Sequence, residues 1–383
     1  MDKDTRRSLK NIGKRKWSNP NSFTAIISIV AFLMAILAFF VLEIAIKPII
    51  QYLYKLGIGY YTLNCFATII SQGVIFLIAF LFCKIFKVRL FGGGGLKFSF
   101  DFASCVPALA LSIGTFFLIS PTHMQFATYI EELKQILFGS TTELPEVDFN
   151  FFELSSLFTY IFVLVPVLPA ICEEALFRGV IMNGLREFGT IFAIFTSGLL
   201  FAIMHGNFSQ LLLQFVIGCE MAFVVIITGN YFPAMVMHFA NNLFSVVYAV
   251  CVEIFATISP AFGIVLELFA TIIAVGLVCF AIIYYFKLSE YKKDNSKNEN
   301  SKFLFYKKNK YYPCCLLEKG KPIHYCFAVN HELVISNSNE GFLFFANGKF
   351  NKFKGRSNKT AFWIIFAISV GIAVGLIFFD FFR

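Results

Sequence analysis

Glutamate and histidine, the side chains best suited to moving a proton near neutral pH, occur in this chain at three places where the surrounding sequence is apolar. Cys172-Glu173-Glu174-Ala175-Leu176-Phe177-Arg178 comes first, Phe201-Ala202-Ile203-Met204-His205 second and His238-Phe239-Ala240-Asn241-Asn242 third. Only five histidines exist in 383 residues, and two of them follow shortly after the glutamate pair. Ionisable groups in such surroundings are costly to hold and by default mark a functional site. Glu174 and Arg178 stand four apart, share a helix face and can pair; the pair reads as structural, cancelling charge and orienting the helix that carries Glu173. Glu173 is turned by about 100° from its neighbour and can point toward another helix. His238 and Asn242 also share a face. Three helices can therefore gather Glu173, His205, His238 and Asn242 into one low-dielectric site holding a carboxylate, two imidazoles and an amide.

Such a set suits amide hydrolysis. Glu173, with His205, can act as general base on a water. Asn242, with His238, can donate hydrogen bonds to the oxyanion that forms as a scissile carbonyl becomes tetrahedral. Alternatively, Glu173, His205 and His238 can hold a divalent metal, zinc being the first choice, which would acidify a bound water. The His-Glu-x-x-His element of many soluble zinc proteases is absent. Both routes remain open at this level.

The elements that must position these residues are membrane helices. Of all residues 58% are hydrophobic and 14% charged, and Phe alone contributes 52. A soluble domain is about half apolar and a quarter charged, so the excess implies surface that faces lipid. Stretches long enough to cross a bilayer run at 23–46, 62–85, 102–121, 156–183, 188–205, 208–228, 231–252, 261–286 and 361–381. This predicts an all-α polytopic transmembrane bundle of eight or nine spans. The fourth segment is polar in its second half and is expected to break or tilt; the fifth is short. The net charge of +9 is explained by Lys and Arg collected in a few loops, as the positive-inside rule requires, and not by a nucleic-acid partner. The basic start of the chain is expected in the cytoplasm, and the acidic loop at 122–155 outside. A strict alternation of nine spans puts His205 at the outer end of its segment and Glu173 nearer the inner end of its own. Convergence then requires a broken or shortened segment, or a different span count.

The expected organisation is a basic N-terminus (1–22), N-terminal helices with an outside loop (23–155), a helical core carrying the three motifs (156–252) and a further helix (253–286). A basic linker with a small β-rich cytoplasmic module (287–360) and a last span (361–383) complete it. The linker is read at Lys287 to Lys302, strands around 332–335 and 341–345, and a hairpin signal at Asn347-Gly348. Cys314, Cys315 and Cys326 surround His324 at no zinc-like spacing and read as free cytoplasmic thiols. The Gly run at 92–95 reads as a turn, and His123, His324 and His331 as solvated. Glu220 is a lesser candidate, structural or in contact with substrate; Glu43 and Glu267 read as helix-packing residues and Asn241 as a cap or packing residue.

Glu173-Glu174-x-x-x-Arg178, Phe201-x-x-x-His205 and His238-x-x-x-Asn242, in that order, resemble the motifs of the CAAX protease and bacteriocin-processing (CPBP, Abi) family of intramembrane proteases. The Phe177-Arg178-Gly179 continuation and the Gly229 to Pro233 turn are similar as well. The shared context spans about 156–252. The resemblance implies an all-helical membrane fold, hydrolysis of peptide bonds near the membrane surface, and catalytic roles for Glu173, His205 and His238. The N-terminus, 287–360 and the last span lie outside it. The Lys/Asn/Ile/Phe-rich composition points to a bacterial cell membrane, where bacteriocin self-immunity and peptide processing are roles of the family. Expected partners are membrane lipid and a peptide or protein substrate. Two rivals are a non-catalytic immunity or scaffold protein, and a transporter with a Glu/His proton relay; the internal repeats expected of the latter are not visible.

Overall fold

In the computed structural model the described residues are 23–91, 96, 98–138, 151–258, 260–298, 311–318, 321–329, 332–337 and 358–381. Among them are α1 (Ala25–Lys55), α2 (Tyr60–Phe86), α3 (Phe102–Phe138), α4 (Phe151–Phe188), α5 (Thr190–Met204) and α6 (Leu211–Thr228). α7 (Phe232–Ile258), α8 (Pro260–Asn298) and α9 (Lys359–Phe381) complete the helices. The protein is an all-α polytopic bundle, and each of the nine apolar stretches read from the sequence falls on one of these helices. Among the described residues, seven stretches are long and apolar enough to cross a membrane: α1, α2, Phe102–Leu137, α4, Phe208–Thr228, Glu267–Leu288 and Lys359–Phe378. Eight or nine were expected. The shortfall includes α5, whose 15 residues do not reach the roughly 20 needed. α7 is also outside the seven, and its first half carries His238, Asn241, Asn242 and Ser245.

Two further boundaries differ from the sequence reading. α3 does not stop near residue 121 but runs through Pro121 to Phe138, occupying much of the stretch read as an outside loop. α8 continues past Lys287 to Asn298, so most of the expected linker is helical. Between α8 and α9 the strands β1 (Tyr311–Glu318), β2 (Lys321–Val329) and β3 (Glu332–Asn337) form one antiparallel sheet in the order β1-β2-β3. The register pairs Cys314 with Cys326 and Val329 with Glu332, with an irregularity between Leu316 and Leu317. The second expected strand at 341–345 and Asn347-Gly348 lie outside the described residues, as do the N-terminal 22 residues and the Gly run.

α4 organises the bundle. It packs on α2 and α7, while α3 packs on α7 and α8, α5 on α6, and α9 on α1 and α5. Its two ends are fastened by carboxylates. Near the start, Glu153 is 2% exposed and caps α2, accepting from Tyr61 N at 2.9 Å, Thr62 N at 3.3 Å and Thr62 Oγ1 at 2.7 Å. Near the end, Glu187 accepts from Ala25 N, the first residue of α1, at 2.8 Å. Both place a negative group at a helix N-terminus, where free N–H groups and the helix dipole favour it. α4 does not break, as its polar second half suggested. It widens instead into π-helical turns at Tyr160–Leu164 and Phe177–Met182, the irregularity that long helices adopt around functional residues. In the second turn the Val180 carbonyl takes a hydrogen bond from Ser28 Oγ of α1 at 2.8 Å.

Candidate functional site

The depth problem posed by the sequence is solved by the length of α5. With a rise of about 1.5 Å per residue, the 15 residues of α5 climb roughly 22 Å from the α4–α5 turn. Glu173 stands about 15 residues before that same turn. A shortened α5 therefore lifts His205, its C-cap, to the level of Glu173 instead of carrying it to the far side. α6 returns from there. The crossing of α5 and α6 is made close by Gly198 and Gly218: a Cβ on Gly198 would sit 2.9 Å from Cys219 N, and one on Gly218 3.0 Å from Gly198 Cα. Small residues of this kind let membrane helices touch backbone to backbone.

α6 ends at Gly229, whose φ of 69° needs no Cβ penalty. Asn230 then fixes the start of α7. It is 1% exposed; its Oδ1 accepts from Phe232 N and Ser99 N, both at 3.2 Å, and its Nδ2 donates to Ser99 O at 2.7 Å. Nearly two turns into α7, His238 reaches the acid pair.

Glu174 and Arg178 are both 0% exposed and form the expected ion pair, Nη1 to Oε1 at 2.7 Å. Arg178 Nη2 donates to Gly218 O at 2.9 Å, which ties α4 to α6. The same Glu174 Oε1 also meets His238 Nδ1 at 3.0 Å. A carboxylate paired with a guanidinium accepts, so His238 Nδ1 carries the proton and Nε2 is left with its lone pair. His238 Nε2 faces Glu173 Oε2 at 3.8 Å, too far for a direct hydrogen bond and a gap across which both atoms can grip a third. Glu173 is 9% exposed. Its other oxygen, Oε1, accepts from Gln72 Nε2 of α2 at 2.8 Å.

His205 is oriented by its own helix. Its Nδ1 lies 2.8 Å from Phe201 O; a carbonyl only accepts, so Nδ1 is the protonated nitrogen and Nε2 is left for chemistry. His205 lies in the electrostatic range of Glu173, His238 and Arg178. Phe201 is the hub of the site. Its ring makes edge contacts with His205 at 4.7 Å, Phe177 at 5.1 Å and His238 at 5.6 Å between centroids. The Arg178 guanidinium stacks 4.9 Å from its centroid, a cation–π contact strengthened by burial.

The structure thus brings together Glu173, Glu174, Arg178, His205 and His238. Asn242 is engaged differently. Its Nδ2 donates to Val165 O of α4 at 3.2 Å, and its Oδ1 accepts from Asn241 Nδ2 at 3.4 Å. Val165 is four residues before Pro169, which has no N–H to offer that carbonyl; the Asn242 amide supplies the missing donor. Glu220 accepts from Thr115 Oγ1 at 2.6 Å and joins α6 to α3. Glu43 and Glu267, read as helix-packing residues, are exposed. His123, read as solvated, is half-buried with its Nδ1 enclosed. Gln72 escaped the sequence reading. Its signal is an amide in the apolar middle of α2, on the face that also buries Ile75, Ala79 and Phe82.

A metal was the alternative for Glu173, His205 and His238. Among the described residues no group of three or more His, Cys, Asp or Glu side chains is arranged to hold one. His238 Nδ1 engages Glu174 and His205 Nδ1 engages Phe201, which leaves Nε2 of both rings and Glu173 Oε2 uncommitted.

Residues 155–244 match the family model described as type II CAAX prenyl endopeptidase Rce1-like. The segment is the one that holds all three motifs, and the resemblance to the CAAX protease and CPBP family is thereby shown for this core of the chain. No curated protein and no solved structure matches. The protein is an integral membrane protein carrying a CAAX-protease-like core.

Proposed function

We propose that the chain is an intramembrane endopeptidase that hydrolyses a peptide bond of a membrane-associated peptide or protein. The observation that carries this reading is the 3.8 Å gap between Glu173 Oε2 and His238 Nε2, with both groups locked by other contacts and neither atom satisfied by the other. A water seated there donates one hydrogen to each. Glu173 takes the first proton as general base while the water oxygen attacks the scissile carbonyl. The proton on Glu173 then passes to the leaving amine, and the C–N bond breaks. His205 Nε2, whose lone pair the Phe201 contact leaves free, stands beside Glu173 as a second proton acceptor. Glu174 and Arg178 do not touch the substrate: they fix the tautomer and aim of His238. Asn242 contributes by holding Val165, at the start of the turns that lead to Glu173, and retains one N–H that can reach an oxyanion.

The N-terminus is assigned to the cytoplasm of a bacterial cell, consistent with its six Lys and Arg residues between Arg6 and Lys16. Peptide processing or bacteriocin self-immunity are the roles that fit. The test is turnover of a peptide library by the purified protein in lipid nanodiscs, beside Glu173→Ala and His238→Ala. Loss of cleavage in both variants is the expected result; equal cleavage by all three proteins overturns the reading. A chelator arm addresses the metal. Activity that survives exhaustive chelation supports the water mechanism, and activity restored only by a divalent ion replaces it with a metal-dependent one.

A further inference from the structure

The proposed chemistry needs one particular oxygen of Glu173, Oε2, to be free and aimed at His238. A carboxylate is symmetric, and a 180° turn about its last torsion exchanges the two oxygens without energetic consequence unless something distinguishes their surroundings. Among the described residues, the hydrogen bond that does so comes from outside the segment that carries the family motifs. Gln72 lies on α2, is 9% exposed and donates Nε2–H to Glu173 Oε1 at 2.8 Å. An amide next to an ionised carboxylate gives a charge-assisted bond, roughly twice as strong as a neutral one.

The other end of the same side chain is equally informative. Gln72 Oε1 is buried and has no hydrogen-bond partner among the described residues. A buried amide retained only for packing or helix association satisfies both its ends, and an orphaned acceptor is rare enough to call for a reason. The amide geometry holds Oε1 close to Nε2, and so within a few ångströms of the reacting carboxylate. There it can accept from an amide N–H of the substrate. α2 is in turn held in register with α4 by the Glu153 cap, which sits on its first turn, so the reach of Gln72 is set by a rigid contact.

We propose that Gln72 is a positioning residue for Glu173: its N–H fixes which carboxylate oxygen faces His238, and its carbonyl is the acceptor for an N–H of the bound peptide. The inference rests on the peptidase reading for its kinetic consequence but not for its structural one. The experiment therefore has two readouts on the nanodisc-reconstituted protein, for Gln72→Met, which keeps chain length without polarity, and Gln72→Asn, whose amide is one methylene too short. In the infrared difference spectrum between wild type and Glu173→Gln, the carboxylate stretching bands belong to Glu173. Loss of the Gln72 hydrogen bond shifts those bands in either variant, whether or not a substrate is known. In turnover, kcat falls about 10- to 100-fold, the scale of one hydrogen bond to a charged group, while KM changes less than about threefold. Unchanged carboxylate bands overturn the inference. So does a kcat equal to wild type in an enzyme that Glu173→Gln inactivates. Shifted bands in a protein with no measurable peptidase activity sustain the contact and instead count against the peptidase reading.

Discussion

Glu153 and Glu173 sit twenty residues apart on the same helix, both buried, at 2% and 9% exposure, and they are used in opposite ways. Glu153 is saturated: two backbone N–H groups and a hydroxyl of α2 converge on it. Glu173 has one fixed donor on Oε1 and leaves Oε2 facing an imidazole nitrogen beyond bonding distance. Burial alone thus does not distinguish a structural acid from a reactive one. The difference lies in how many of the oxygen lone pairs the fold consumes. A carboxylate that caps a helix contributes to stability because nothing is left over. One that is to take a proton must retain an uncommitted oxygen, and the surrounding structure carries the cost.

The sharpest way to break this comparison is to exchange the roles. Glu173→Gln is expected to reduce turnover by about 10²–10⁴-fold with thermal unfolding in detergent close to wild type. Glu153→Gln is expected to do the reverse, retaining activity while lowering stability by about 1–3 kcal/mol, since the amide brings a donor among three donors. If Glu153→Gln abolishes turnover in a fully folded protein, the division between the two acids is wrong. Next in size is Arg178→Met. It leaves Glu174 buried with His238 as its remaining partner among the described residues and removes the cation from Phe201, and should cost about 3–5 kcal/mol. Denaturant unfolding followed by tryptophan fluorescence, with Glu174→Gln/Arg178→Met as the paired control, measures it. A double variant more stable than Arg178→Met alone is the expected sign of an uncompensated charge.

Much of this was legible in the sequence, and for identifiable reasons. Glu173, Glu174, Arg178, His205 and His238 stand out because charge in an apolar run is expensive. The nine helices stand out because lipid-facing stretches leave no periodic ambiguity. The depth of His205 was not legible: alternation of full spans places it at the far side, and only α5's 15 residues, joined to Glu173's position by a common turn, bring the two level. Gln72 was invisible because its meaning depends on which residue of another helix it meets. Asn242 was legible as important but not in its partner. That partner is a carbonyl made vacant by a proline four residues on, a relation inside α4 that no motif on α7 contains.

That last relation gives a smaller, cleaner test. Pro169→Ala restores an N–H that can close the helix onto Val165 O, so the amide of Asn242 becomes redundant there. Asn242→Ala alone should cost about 1 kcal/mol, the net worth of one hydrogen bond with a buried acceptor. In the Pro169→Ala background the same substitution should cost close to nothing, a coupling readable in a double-mutant cycle. If Asn242→Ala costs the same in both backgrounds, the residue is not serving that carbonyl. If activity rather than stability tracks the coupling, the π-helical stretch before Val165 is what sets the aim of Glu173.

The smallest expected effect concerns the third carboxylate of α4. Glu187 caps α1 as Glu153 caps α2, accepting from Ala25 N, but it is less buried than Glu153. Glu187→Gln keeps an oxygen that can accept and loses only the charge at the helix N-terminus, so it should lower stability by about 0.3–1 kcal/mol, less at high salt. Thermal unfolding at low and high ionic strength measures both terms. A loss as large as that of Glu153→Gln, and indifferent to salt, would mean that the α1 end of α4 is held as tightly as the α2 end. Burial of the carboxylate would then not be what sets the strength of these caps.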